Sequence, residues 1–149
     1  MSRIVVAEPI AEAGLELLRA RGHEVADLTG APRERLLSEL TGADAVLVRS
    51  APMLNAELLA AAPRLQVVGR AGVGVDNVDV PAATARGVLV INAPTANVVS
   101  AVEHTFALLF ALLRKVPAAA ASMAAGRWEK SKFVGSELAG KTLGIVGLG

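Results

Sequence analysis

Cysteine and tyrosine are both absent from this 149-residue chain, and aromatics in total make up 3% of it. Without a thiol there is no disulfide, no thiolate metal site and no cysteine nucleophile. Two histidines, His23 and His104, leave little for a zinc site. So few aromatics argue against a surface that stacks nucleic-acid bases. A net charge of +1 supplies no electrostatic footprint for nucleic acid or an anionic membrane. Long apolar runs are missing too: the longest, residues 105–113, lies between Glu103-His104 and Arg114-Lys115. That is far short of the roughly 20 residues a bilayer span needs. Met1-Ser2-Arg3 leads directly into Ile4-Val5-Val6, with no secretory charged region, apolar region and cleavage site. The expectation is a cytoplasmic protein with no nucleic-acid, membrane or metal partner.

What the chain does have is apolar bulk. Hydrophobic residues make up 53% and mean hydropathy is +0.50, which suits buried parallel strands and alanine-rich helices. The length is one domain's worth and can bury a core. Short apolar runs alternate with helical spacing. Strands are expected at residues 4–7, 23–27, 43–48, 65–68 and 88–91. Helices are expected at 11–20, from Pro32 to Gly42, from the cap Asn55 to Pro63, and at 80–86. This rhythm argues for an α/β fold with an open parallel sheet and helices on both faces. Ligands of such sheets sit beyond the carboxyl ends of the strands. A longer helix follows Asn97. Ser100 and Glu103 have capping-box spacing, and Val102, Phe106, Leu109, Phe110 and Leu113 carry its stripe. Leu108 and Leu112 widen that stripe enough to bury the helix between two layers or two subunits. The helix resumes beyond Pro117 to about Ala125, and a strand is expected at 143–146.

Three post-strand loops are candidates for one crevice. In Gly69-Arg70-Ala71-Gly72-Val73-Gly74-Val75-Asp76-Asn77, three glycines fall within six residues, so the backbone turns sharply or approaches something closely. Gly72-x-Gly74-x-x-Asn77 imitates a dinucleotide fingerprint except at its third glycine. The loop holds a nucleotide, a substrate or nothing. Arg49-Ser50 can grip a phosphate through charge-assisted hydrogen bonds, or is a surface arginine before a turn-forming serine. Arg70 adds positive charge at the same mouth or makes an outward ion pair, while Asp76 and Asp79 read as turn formers and caps. Lys130 and Lys132, beside Trp128, read first as solvated charges of a connector. Gly147-Leu148-Gly149 follows a strand pattern and forms the first half of a dinucleotide fingerprint, whose remainder lies outside the sequence. A truncated chain is the expectation.

Five segments together resemble the D-isomer-specific 2-hydroxyacid dehydrogenases: Leu47–Ser50, Gly69–Asp79, Ala82–Gly87, Asn92–Asn97 and Gly140–Gly149. Their order and spacing carry the likeness from about Ala43 onward. The resemblance implies a flavodoxin-like substrate-binding domain over residues 1–97 and the start of an NAD-binding Rossmann domain over 98–149. It implies NAD as cofactor, a homodimer or homotetramer through the 98–116 helix region, and hydride transfer with a D-2-hydroxy acid. Within the family it is nearest the branch that oxidises 3-phosphoglycerate to 3-phosphohydroxypyruvate for serine synthesis. Arg49, Ser50 and Asn97 would then engage a phosphorylated 2-hydroxy acid. The bare N–H groups of Ala71, Gly72, Val73 and Gly74 would face its carboxylate, with Arg70 the candidate for added positive charge at that substrate mouth. The alternative for Lys130 and Lys132 is a cation that reaches a neighbouring subunit's substrate. Val73 would also touch the nicotinamide end of NAD, and Gly147 and Gly149 would approach its pyrophosphate. The arginine and His–Glu pair of the family's chemistry fall after Gly149, and neither His23 nor His104 matches, so this stretch alone is expected to be inactive. A glyoxylate, hydroxypyruvate or D-lactate reductase is the alternative within the class. A non-catalytic, NAD-sensing corepressor-like module is the alternative outside it.

Overall fold

Short β-rich runs separated by helical segments of under a dozen residues leave little choice but parallel pairing with crossover helices. The computed structural model describes residues 1–147. The strands are β1 (Arg3–Val6), β2 (Glu24–Asp27), β3 (Ala45–Val48), β4 (Val67–Arg70) and β5 (Leu89–Asn92). The helices are α1 (Glu12–Ala20), α2 (Arg33–Leu40), α3 (Ala56–Ala60), α4 (Val80–Ala85), α5 (Val98–Leu113) and α6 (Val116–Ala124). All ladders are parallel and the sheet order is β2-β1-β3-β4-β5, the flavodoxin-like arrangement. The order reverses between β1 and β3. The chain divides into two compact units, Met1–Asn97 and Val98–Gly149.

In the first unit Val5, Val46, Val48 and Val68 pack with Leu40, Leu54, Leu58 and Leu59, all 0% exposed. Local chemistry sets the helix ends. The Asn55 side chain accepts from the Leu58 N–H at 3.1 Å and starts α3. Asp79 accepts from the Ala82 N–H at 3.0 Å and starts α4, with Pro81 in its first turn. Gly22 and Gly87 take φ of 79° and 69° just past α1 and α4, where a Cβ would be strained.

β4 lies two residues later than the apolar run 65–68 suggests. Gly69 and Arg70 belong to the ladder, paired with Leu47 and Val48 on one side and Ile91 and Asn92 on the other. Glycine here marks close packing rather than a strand end: a Cβ on Gly69 would stand 2.5 Å from Leu47 Cδ2.

The second unit departs further from expectation. α5 begins at Val98, so Ser100 falls inside its first turn and the Ser100–Glu103 spacing is not a capping box. None of the α5 residues is buried, so no second layer covers the helix among the described residues. Lys115, in the left-handed region at φ 53°, breaks α5 from α6, whose first turn holds Pro117. Beyond a single 3-10 turn at Lys130–Phe133, the chain returns to the end of α5. The Ser136 N–H donates to the Leu113 carbonyl at 2.9 Å, and a Cβ on Gly135 would stand 2.3 Å from that oxygen. Leu143–Val146 forms no strand. Ladder bonds need a neighbour, and this unit has no strand among its described residues. No single described helix is long and apolar enough to cross a membrane; α5 and α6 satisfy that test only together, bent by 66°.

Candidate functional site

Register places the candidate loops side by side. Val48, Arg70 and Asn92 form one row across β3, β4 and β5. The segments beginning at Arg49, Ala71 and Ala93 therefore leave adjacent strands at the carboxyl edge of the sheet. β1 joins from the other side, where the Ala7 N–H donates to the Leu47 carbonyl at 2.9 Å.

Arg49 and Ser50 are exposed, and neither side chain has a protein partner among the described residues. The backbone that carries them is held from two directions. The Glu8 carboxylate accepts from the Arg49 N–H and, at 3.1 Å, from the Ala51 N–H. Arg70 Nε donates to the Arg49 carbonyl at 2.8 Å. The Arg70 side chain is only 14% exposed and stands 3.9 Å from Asp76, so it serves as a brace more than as a charge at the mouth. Gly72 gives it room, since a Cβ there would fall 2.1 Å from Arg70 Nη1.

The glycine loop has fewer open donors than its sequence suggests. The Ala71 N–H goes to the Val48 carbonyl at 2.8 Å and the Gly72 N–H to the Arg70 carbonyl at 2.9 Å. Among the described residues the N–H groups of Val73 and Gly74 have no acceptor. The loop is tied to the next one through its carbonyls: Asn92 Nδ2 donates to Val73 at 2.6 Å and the Ala93 N–H to Gly72 at 2.9 Å. Val73 keeps its side chain 43% exposed. Asn97 is exposed and closes the turn that follows β5. Gly147 is exposed with φ 95°, and Gly149 lies outside the described residues.

Two residues here went unnoticed in the sequence. Glu8, the first polar side chain past β1, holds the Arg49 loop; its only sequence signal is a carboxylate just beyond a strand. Asn77 stood out merely as a failed glycine. It is 1% exposed, donates from Nδ2 to the Pro52 carbonyl at 3.1 Å, and accepts the Leu54 N–H at 2.9 Å. With the Leu54–Val78 bridge it sews the segment after β3 to the glycine loop. The connector lysines are partly engaged: Lys132 pairs with Glu129 at 2.5 Å, and its carbonyl accepts from Lys115 Nζ at 3.4 Å.

Chemically the edge offers a guanidinium and a hydroxyl suited to a phosphate, and two N–H donors suited to a carboxylate. Among the described residues no three His, Asp or Glu side chains are grouped to hold a metal. A flavodoxin-like unit of this topology presents its post-strand loops at the edge where open α/β sheets take their ligands. Residues 4–134 match the family described as D-isomer specific 2-hydroxyacid dehydrogenase, catalytic domain, and the chain belongs to that family. It is 59% identical over 126 residues to a D-3-phosphoglycerate dehydrogenase of Mycobacterium tuberculosis, covering 85% of this chain and 24% of that one. It is 48% identical over 147 residues to a D-3-phosphoglycerate dehydrogenase of Archaeoglobus fulgidus, covering 99% and 28%. Among solved structures it superposes on the NAD+-bound 3-phosphoglycerate dehydrogenase of Entamoeba histolytica with a TM-score of 0.69 and 30% identity, over 76% of this chain and 40% of that one. The chain spans about a quarter of the length of these curated relatives.

Proposed function

We propose that the chain is the substrate-binding part, and the beginning of the cofactor-binding part, of an NAD-dependent oxidoreductase. It would oxidise the 2-hydroxyl of D-3-phosphoglycerate to the keto acid 3-phosphohydroxypyruvate, the first committed reaction of serine synthesis. The observation that carries the reading is the row Val48–Arg70–Asn92, which brings the Arg49-Ser50 cation and hydroxyl beside the Val73–Gly74 donors on one edge. A molecule with a phosphate at one end and a carboxylate at the other asks for such a pair of subsites. Two curated relatives of that name support the substrate.

In this reading Arg49, Ser50 and Asn97 bind the phosphorylated end. Arg70 holds the loop that carries Arg49, and Val73 and Gly74 donate to the carboxylate, with Ala71 and Gly72 shaping their turn. Val73 meets the nicotinamide end of NAD, and Gly147 with Gly149 approaches its pyrophosphate. The positive φ of Gly147 fits a turn of that type. The residues present thus fit an NAD-dependent site in part, while hydride transfer itself belongs to the cofactor. The uncovered apolar α5, with Leu108, Phe110 and Leu112 exposed, is read as a subunit interface.

The test is turnover by the complete protein with NAD and a panel of D-3-phosphoglycerate, D-glycerate, D-lactate and, in the reducing direction, glyoxylate and hydroxypyruvate. Preference for the phosphorylated acid is expected. Equal or better use of an unphosphorylated acid would replace the phosphate reading with that of a general reductase, and absence of all turnover would favour a binding module. Sedimentation of the same preparation reads the interface, with a monomer at all concentrations as the contrary result.

A further inference from the structure

A side chain can decide substrate choice without touching substrate, if it fixes the loop that does. The segment from Arg49 to Asn55 leaves β3 at the point where the sheet order reverses, and its first residues lie beyond the ladder. A loop of that kind costs free energy to order when ligand arrives, unless something has ordered it beforehand. Here the ordering group comes from a different strand. Glu8, two residues past Val6 at the end of β1, lies 41 and 43 residues from the two N–H groups it accepts, Arg49 and Ala51.

We propose that Glu8 is a positioning residue for phosphate recognition: its two oxygens hold the alternate N–H groups that flank Ser50, leaving the Arg49 guanidinium and the Ser50 hydroxyl and N–H to the ligand. The proposal rests on the phosphate reading given above and adds its cause. An anion could otherwise sit on the backbone N–H groups of this loop, as anions do where successive N–H groups converge. A resident carboxylate takes those donors, so selectivity passes to the Arg49 and Ser50 side chains and the one N–H between. Arg70 completes the hold through the Arg49 carbonyl at 2.8 Å. Arg49 is thereby fixed at its N–H by one side chain and at its C=O by another, while its own guanidinium has no protein partner among the described residues.

Charge and reach make separable demands. Glutamine at this position keeps the shape but presents one acceptor oxygen and one NH2 to two N–H donors, so one donor loses its partner. Aspartate keeps the charge but is shorter by a methylene, so it cannot span both N–H groups from the same backbone. Both variants are therefore expected to loosen the loop, and Glu8 lies outside the apolar core that stabilises the unit.

The experiment is a titration of the isotope-labelled chain, as wild type, Glu8→Gln and Glu8→Asp, with D-3-phosphoglycerate and with D-glycerate, followed by backbone amide shifts. In the wild type the Arg49 and Ala51 amides are expected downfield, and both move upfield in each variant. Each variant is expected to bind 3-phosphoglycerate about tenfold more weakly, the loss of one charge-assisted hydrogen bond, with D-glycerate binding unchanged. Equal weakening of both ligands, a Glu8→Asp variant that binds like wild type, or tighter binding by Glu8→Gln would each overturn the proposal. The last would mean that Glu8 acts by repelling phosphate. If the wild type itself binds both ligands alike, the phosphate reading fails first and the positioning role fails with it, an outcome distinct from the variant results.

Discussion

At the scale of single residues, part of the site's backbone is already spoken for. Ala71 and Gly72 look in sequence like open donors, yet their N–H groups close the loop on Val48 and Arg70. Gly72 is glycine because the Arg70 guanidinium lies over it, with 2.1 Å between Nη1 and the position a Cβ would take. Gly72→Ala should therefore push Arg70 aside and break its bond to the Arg49 carbonyl. The colliding atom is the far end of a flexible side chain, so the stability cost should be about 1 kcal/mol or less. The Michaelis constant for 3-phosphoglycerate in the complete protein should nonetheless rise several-fold. Melting curves and steady-state kinetics on one preparation separate the two effects. A large loss of stability with an unchanged Michaelis constant would mean that Gly72 serves packing alone.

Elements were the most legible level of the sequence. The alternation of apolar runs and helical spacing predicts all five strands of the sheet, and Asn55 and Asp79 cap the helices their positions suggest. Local pattern failed wherever a distant partner decides the outcome. Gly69 reads as a strand terminator until Leu47 is seen packed against it. The Ser100–Glu103 spacing is real, but the turn after β5 starts α5 two residues earlier. Glu8 leaves no mark in a periodicity, because its partners are more than forty residues away. The opposite edge of the sheet carries a charge cluster of similarly long range. Asp44 accepts from the Arg3 N–H at 2.7 Å and from Arg64 at 2.9 Å, and these hold its carboxyl below the ordinary aspartate value. Hydrogen bonds from Thr29 lower Asp27 in the same direction. A carboxyl depressed in the folded state contributes stability fully above its unfolded pKa, near 4, and loses it as pH falls through the folded value. Asp44→Asn should accordingly lower the melting temperature at pH 7, with the gap to wild type closing below about pH 4. A gap that stays constant from pH 7 to pH 2.5 would remove the electrostatic explanation.

For the molecule as a whole, two units contribute different things. Met1–Asn97 has a closed core of its own around Val46, Val48, Leu58 and Leu59, and it carries every residue proposed for the substrate. The unit beginning at Val98 exposes Phe106, Leu108, Phe110 and Leu112 along one helix and is read as the entrance to a cofactor domain. On the proposed reading the glycine loop that imitates a dinucleotide fingerprint serves substrate, and the fingerprint beginning at Gly147 serves cofactor. That division depends on one cation. The direct measurement is kcat/KM of the complete protein and of its Arg49→Ala variant, each with D-3-phosphoglycerate and with D-glycerate. Loss of a charge-assisted grip predicts a fall of about ten- to a hundredfold for the phosphorylated acid and little change for the other. An equal fall for both substrates, or none for either, would contradict the assignment of Arg49 to the phosphate.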